Sequence, residues 1–309
     1  MSVILITGSS TGIGYVTAET LARNGHTVYA TMRNPQRSPQ LHQLAHDDQL
    51  PIHILPLDVL DDESVQSAIN SVFSKEGQID VLVNNAGANS WGAVEEMPLQ
   101  SFQDIMDTNY FGTLRCIKAV LPSMREKKGG SIINVASIAA KFYANFFSGY
   151  CASKAAVEAL SEALAQELKP FNIEVTIVEP GVIMTPIFSK AVNANYIPDN
   201  TNYPNIKRLL SFFAASLERE TPPSVVADVI NDIVERKSNK IRHLAGSDAA
   251  GLLEMRSSTS DEDWVTIGGI GDDDWIAAME QMGLEVRKYM QAEGLPRLTV
   301  NESFMQSTY

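Results

Sequence analysis

The sequence predicts an α/β fold, a doubly wound parallel sheet with helices on both faces. Three observations carry this. Short apolar runs rich in β-branched residues recur through residues 1–245, separated by segments long enough for helices. That alternation gives a parallel sheet covered on both sides. The first run, Val3-Ile4-Leu5-Ile6, enters a glycine-rich turn and then helix-forming sequence. Finally, small polar residues and glycines cluster at the carboxyl ends of the expected strands, where the ligands of such sheets sit.

Taken in order, the first strand ends in Thr7-Gly8-Ser9-Ser10-Thr11-Gly12-Ile13-Gly14, and a helix is expected over 15–24. Glycines let the backbone approach an anion without a Cβ in the way. A helix N-terminus offers that anion unpaired N–H groups and a positive dipole end. The spacing G-x-x-x-G-x-G differs from G-x-G-x-x-G and lacks the Lys of a P-loop. It suits nucleotide phosphate, although an ordinary strand-to-helix turn can also carry three glycines. A second strand is expected over 26–31, ending at Arg33, about 20 residues past the turn, where a dinucleotide fold meets the adenosine ribose. A carboxylate there would favour NAD; an Arg pairs with the 2′-phosphate of NADP. Arg33 and Arg37 are present, and no acid occurs between Glu19 and Asp47, so NADP(H) is the expected cofactor.

The third strand is expected over 52–59, with Asp58 near its end, followed by a helix whose first turn holds Asp61, Asp62 and Glu63. The fourth, 80–87, closes with Asn84-Asn85-Ala86-Gly87. One long helix is expected over 99–127, with Asn109 inside it. The fifth strand, 131–137, ends in Ser137, and a second long helix covers 148–169. The sixth strand, 173–179, is stopped by Pro180-Gly181. A helix over 224–237 and a last strand over 241–245 complete the sheet.

Composition narrows the function. A hydrophobic content of 44% with 20% charged residues suits a globular chain with a sizeable core. The net charge of −13 leaves no basic surplus for nucleic-acid phosphate. Two cysteines, Cys116 and Cys151, give no disulfide framework, so a reducing, cytoplasmic compartment is expected. No leader is expected before a strand that begins at residue 3, and no apolar run is long enough to span a bilayer.

The chemistry centres on Tyr150-Cys151-Ala152-Ser153-Lys154. On a helix, positions i and i+4 share a face, so phenol and ammonium project together. A free tyrosine has a pKa of about 10, and a nearby cation favours the phenolate. Lowering it by about three units takes on the order of 4 kcal/mol, which Lys154 and an oxidised nicotinamide can supply in a desolvated cleft. Such a tyrosine exchanges a proton with an alcohol or carbonyl oxygen. A Tyr-x-x-x-Lys also arises on helices without any catalytic use.

Taken together, residues 7–14, Asn84-Asn85-Ala86-Gly87, Asn109, Ser137, Tyr150-x-x-x-Lys154 and Pro180-Gly181-x-x-x-Thr185 resemble the short-chain dehydrogenase/reductase family, in order and spacing, across about residues 1–190. The resemblance implies a Rossmann-type domain and hydride transfer between NADP(H) and a carbonyl or alcohol. It implies Tyr150 as general acid/base, Lys154 as the group that tunes Tyr150 and holds the nicotinamide ribose, and Ser137 as the group that orients the substrate oxygen. Asn109 would support a proton path to the lysine. Cofactor contacts are implied at Gly8, Ser10, Thr11, Gly12, Ile13, Gly14, Arg33, Asp58, Val59, Asn85, Ala86, Gly87, Pro180, Gly181, Val182 and Thr185. A homodimer or homotetramer is implied as well. Two other readings stay open: an isomerase or dehydratase of the extended branch, which the glycine spacing fits poorly, and a cofactor-binding regulatory or scaffold protein without turnover.

Around Ser137 and Tyr150 the chain is aromatic. Phe142, Tyr143, Met184 and Phe188, with Trp91, suggest a hydrophobic substrate pocket. The Tyr-Cys-Ala-Ser-Lys wording is most similar to hydroxysteroid and retinol dehydrogenase-like members, implying an apolar ketone, aldehyde or alcohol. A helical lid is expected around 187–220. Residues 246–309 form an acidic extension, with 12 acids against 4 bases. Its Asp261-Glu262-Asp263-Trp264 and Asp272-Asp273-Asp274-Trp275 read as helix starts rather than metal ligands, with Asp272 as an N-cap. Trp264 and Trp275 are its expected anchors, on the same subunit or on a partner.

Overall fold

Each apolar run forms a strand: β1 (Val3–Ile6), β2 (Thr27–Met32), β3 (Ile52–Pro56), β4 (Val81–Asn84), β5 (Gly130–Val135), β6 (Ile173–Pro180) and β7 (Arg242–Ala245). The structure is a computed structural model and describes residues 1–192, 197–198 and 200–300. Residues 193–196 and 199 of the expected lid, and 301–309 of the extension, lie outside the described residues. Among those described, the strands make one parallel sheet in the order β3-β2-β1-β4-β5-β6-β7. Strand order reverses at β1, so the crevice for a ligand opens above the ends of β1 and β4.

Alternate residues of each strand face opposite sides, and both sides are covered. Ile4 and Ile6 join Val28, Ala30, Val83 and Ile133 under α1 (Gly12–Arg23) and α9 (Ser224–Val234). Val3 and Leu5 join Tyr29, Leu82 and Ile132 under α3 (Asp62–Glu76), α5 (Gly112–Lys127) and α6 (Ser148–Leu168). The helix α3 starts where its sequence says it should, with the Asp61 side chain accepting from the Glu63 N–H at 2.9 Å and two acids in its first turn.

Several expected boundaries shift. β3 stops at Pro56 and β4 at Asn84, so Asp58 and Asn85 stand beyond the strands, in the loops that face the crevice. The helix expected over 99–127 is two, α4 (Leu99–Met106) and α5, joined by a π-helical turn over Asp107–Phe111. That turn contains Asn109. The short helix α2 (Pro39–Asp47) was not legible in the sequence. No helix among the described residues is long and apolar enough to cross a membrane.

Beyond β6, besides α9 and β7, the chain forms α7 (Ile187–Val192), α8 (Ile206–Leu217), α10 (Ala249–Ser258), α11 (Asp261–Thr266), α12 (Asp272–Gln281) and α13 (Arg287–Gln291). Trp275 is buried with Ala215, Leu284 and Val286, anchoring the extension on α8 of its own chain. Asp272 is not the N-cap of α12; Gly271 is. The buried Arg208 guanidinium takes the Asp272 carboxylate at 2.7 Å and the Ile270 carbonyl at 2.8 Å, drawing that side chain away from the helix N–H groups.

Candidate active site

A cleft of about 450 Å³ runs along the carboxyl ends of β1, β4, β5 and β6. Backbone builds one end of it. Gly8 has φ +71°, and a Cβ there would stand 2.7 Å from the Ala86 Cα. At Gly14 a Cβ would stand 2.5 Å from both the Asn85 Nδ2 and the Gly8 carbonyl oxygen. These are positions only glycine fills. The Thr7 hydroxyl accepts from the Asn85 and Ala86 N–H groups, both at 3.0 Å. The Asn85 amide donates back to the Thr7 and Gly8 carbonyls at 2.9 and 3.1 Å. The turn after β1 is thereby laced to the end of β4.

Gly8, Ser10, Thr11, Gly12 and Ile13 line this end, with α1 starting at Gly12 and presenting its first N–H groups there. Arg33, Asp58, Val59, Asn85, Ala86 and Gly87 line it too, and Arg33 is exposed to solvent. Gly14 lies behind the wall. The cradle suits a dinucleotide: backbone donors face one end, a guanidinium stands beyond β2, and no side chain fills the turn.

Midway, α6 brings Tyr150 and Lys154 into the cleft one turn apart, with the Lys154 Nζ 5.7 Å from the Tyr150 ring centroid. Phe147 stacks on Tyr150 at 4.7 Å and fixes the ring. Lys154 is buried and donates to the Val135 carbonyl at 2.9 Å. Burial pulls its pKa down to about 8. Burial also pushes the Tyr150 phenol up to about 12, against the opposing pull of the Ser137 hydroxyl. Burial disfavours the charged phenolate, and the lowering expected of Lys154 together with an oxidised nicotinamide belongs to the cofactor-bound site. Ser137, two residues beyond the end of β5 rather than on it, lines the cleft and accepts from the Ala139 N–H at 3.1 Å.

Asn109 does not line the cleft. It is 1% exposed, and its Oδ1 accepts from the Ala88 N–H at 2.8 Å. Its Nδ2 donates to the Ala88 carbonyl at 3.0 Å and to the Ser153 hydroxyl at 2.9 Å. It thus ties the loop after β4 to α6 one residue before Lys154. The π turn that carries it is a feature common at functional sites.

At the end of β6, Pro180, and just beyond it Gly181, Val182 and Thr185, line the cleft and close over the glycine turn; a Cβ on Gly12 would lie 3.2 Å from the Thr185 methyl. Asp248 holds this segment. Its Oδ2 accepts from the Val182 N–H at 2.9 Å, and a Cβ on Gly181 would collide with its carboxyl group. Burial raises the Asp248 pKa, and the Val182 N–H opposes that rise. The Val182 N–H is therefore committed within the protein. Nothing in the sequence alone singled out Asp248.

At the far end the walls are apolar. Phe142 and Phe188 line the cleft as expected positions; Tyr143 and Met184 do not. Tyr143 is 49% exposed and faces outward. Met184 is buried in the cluster behind the wall, and its N–H donates to the Thr221 carbonyl at 2.9 Å. Trp91 is likewise behind the wall, against Phe147, Phe188 and Phe213. Sequence reasoning missed Leu209, Phe212 and Phe213 of α8 and Leu252 of α10. The Phe212-Phe213 pair, within the segment expected as a lid, was the available signal.

A family model described as short chain dehydrogenase matches residues 2–195. An uncharacterized oxidoreductase of Bacillus subtilis (YusZ) is 36% identical over 271 residues, covering 86% of this chain and 96% of its own. A 3-ketodihydrosphingosine reductase of Bacteroides thetaiotaomicron is 36% identical, covering 79% and 87%. Retinol dehydrogenase 8 of Bos taurus is 40% identical over 186 residues, 59% of each chain. Among solved structures, a short-chain dehydrogenase from Streptomyces avermitilis superposes with a TM-score of 0.72 at 31% identity, covering 91% and 97%. ElxO with NADP bound gives 0.67 at 27%, covering 81% and 100%. The parallel sheet, the glycine cradle and the Tyr-Lys pair of α6 agree with these matches: the chain belongs to the short-chain dehydrogenase family and is an oxidoreductase of that type.

Proposed function

We propose that the protein transfers hydride between NADP(H) and an apolar ketone, aldehyde or alcohol, with Tyr150, Lys154, Ser137 and Asn109 as the working residues. The observation that carries this is one cleft joining a backbone phosphate cradle, the Tyr150–Lys154 pair and an aromatic wall. When bound, the cofactor supplies or accepts the hydride. Tyr150 donates its phenolic proton to the carbonyl oxygen in reduction and recovers it in oxidation. Its high pKa keeps that proton in place for reduction at neutral pH. Lys154 binds the nicotinamide ribose and, when charged, lowers the cost of the phenolate. Ser137 orients the substrate oxygen through its hydroxyl. Asn109 keeps the Ala88 loop and α6 in register.

Arg33 supports NADP(H), because it lines the adenosine end and no acid stands on its loop. The NADP-bound relative, ElxO, supports the same choice. Phe142, Phe147, Phe212 and Phe213 support an apolar substrate, as do relatives named for retinol and 3-ketodihydrosphingosine, both largely hydrocarbon. The reading includes a cytoplasmic homodimer or homotetramer, supported by the free, buried Cys116 and Cys151 and by the exposed Leu99 and Phe111 near α4.

Coenzyme oxidation across a panel of ketones and aldehydes tests it. NADPH should be used in preference to NADH, and Arg33→Asp should reverse the preference. Wild-type protein that binds NADH as tightly as NADPH would contradict the cofactor assignment.

A further inference from the structure

We infer that Trp264, on the acidic C-terminal extension, is a specificity-determining residue: it fixes Phe142 in the wall of the substrate end and so limits the bulk of the carbonyl compound admitted. The inference rests on the reading of the cleft as a carbonyl site.

Phe142 lies on the loop between β5 and α6, and its ring is held from two sides. Phe212 of α8 stacks on it, 6.5 Å between centroids and 17° between planes. Trp264 of α11 meets it edge-on, at 4.9 Å and 77°. Both geometries are those that aromatic pairs favour. Phe142 and Phe212 line the cleft; Trp264 stands behind Phe142 and does not.

Trp264 is itself fixed. Its indole N–H donates to the Tyr143 carbonyl at 3.0 Å, one residue past Phe142. The Arg256 guanidinium lies 5.1 Å from its ring, within reach of a cation–π contact. Arg256 is locked in turn by the Asp261 carboxylate at 2.5 Å and the Thr259 carbonyl at 3.1 Å. Leu252, one turn before Arg256 on α10, lines the cleft and packs in one cluster with Ile138, Phe142 and Phe212. The α10–α11 pair thus touches the substrate wall directly through Leu252 and braces it through Trp264. Without the indole, the Phe142 ring has space to turn outward, and the wall recedes.

The test is calorimetric binding of a small and a bulky apolar ketone, acetophenone and 4-phenylbenzophenone, to the full chain in the presence of NADP⁺, which cannot reduce them, with NADPH oxidation by the same ketones followed separately. Trp264→Ala should raise affinity for the bulky ketone relative to the small one by about fivefold or more. Trp264→Phe keeps a ring against Phe142 and should stay within about twofold of wild type. Arg256→Ala, which frees the indole without removing it, should shift the ratio in the same direction by less. NADPH affinity should be unchanged in all three. An unchanged ratio in Trp264→Ala, or equal weakening of both ketones and of NADPH, would overturn the inference. Ketone binding without coenzyme oxidation would refute the proposed reaction while the affinity ratios still judge Trp264. Absence of ketone binding in every protein would overturn both.

Discussion

The two ends of the cleft are built from different materials. At the cofactor end the wall is backbone: the turn after β1, the loop after β4 and the start of α1, locked by Thr7 and Asn85. At the proposed substrate end the wall is side chains, brought from the loop before α6, from α7, from α8 and from α10. Backbone walls demand glycine at fixed places and tolerate little else. Side-chain walls demand only apolar bulk, and many sequences provide it. One end can stay constant while the other changes substrate.

Four substitutions sharpen or break this comparison. The largest effect is expected from Phe213→Ala. Phe213 is buried among Trp91, Phe147, Phe188 and Phe212, and the truncation should cost about 3–5 kcal/mol in stability by denaturant unfolding. It should raise KM for apolar ketones while NADPH affinity holds. Gly8→Ala should act on the other end. A left-handed alanine costs about 1–2 kcal/mol, and overlap with Ala86 adds roughly 1–3 kcal/mol. NADPH affinity should fall with ketone affinity spared. If either variant damaged both ends equally, the ends would not be independent.

Asp248→Ala tests where they join. It leaves the buried Val182 N–H without its acceptor, at a cost of about 1–3 kcal/mol, and should weaken NADPH and ketone together. The smallest effect is expected from Glu158→Gln. Glu158, one turn beyond Lys154, is buried beside Glu179, with Lys141 and Arg242 each 3.5 Å away; Lys141 also bridges to Glu179 at 2.5 Å and Arg242 to Glu162 at 2.8 Å. Burial first, then the neighbouring Glu179 carboxylate, raises the Glu158 pKa to about 7. A carboxyl raised in the folded state contributes stability below its unfolded pKa, and that contribution is lost as pH rises towards 7. Thermal unfolding of wild type should show this decline, and Glu158→Gln should flatten it. An unaltered profile would remove Glu158 from the account.

The same contrast explains what the sequence revealed. Gly8, Gly14 and Asn85 were legible because backbone geometry restricts residue type at fixed spacing, whereas the ends of β3, β4 and β5 came two to three residues earlier than expected. Tyr150 and Lys154 were legible because four residues make one helical turn. Leu209, Phe212, Phe213 and Leu252 were not, because they share the cleft wall with Phe142 and Phe147 across about 60 to 110 residues of chain with no spacing to link them. The π turn at Asn109 was hidden too. Residues 107–111 contain no proline or glycine, so the extra residue per turn left no mark on the helical pattern. Asp248 was read only as one acid of an acidic tail; its partner is a backbone N–H 66 residues away.

The central claim is that the Tyr150 phenol carries the transferable proton. Steady-state turnover of the best ketone should be measured for wild type, Tyr150→Phe and Lys154→Met, alongside direct NADPH binding. Tyr150→Phe keeps the ring on Phe147 and loses only the hydroxyl, so turnover should fall by about two to four decades with NADPH affinity unchanged. Lys154→Met should lose turnover and NADPH affinity together. Near-wild-type turnover in Tyr150→Phe would show that another group supplies the proton and would contradict the mechanism.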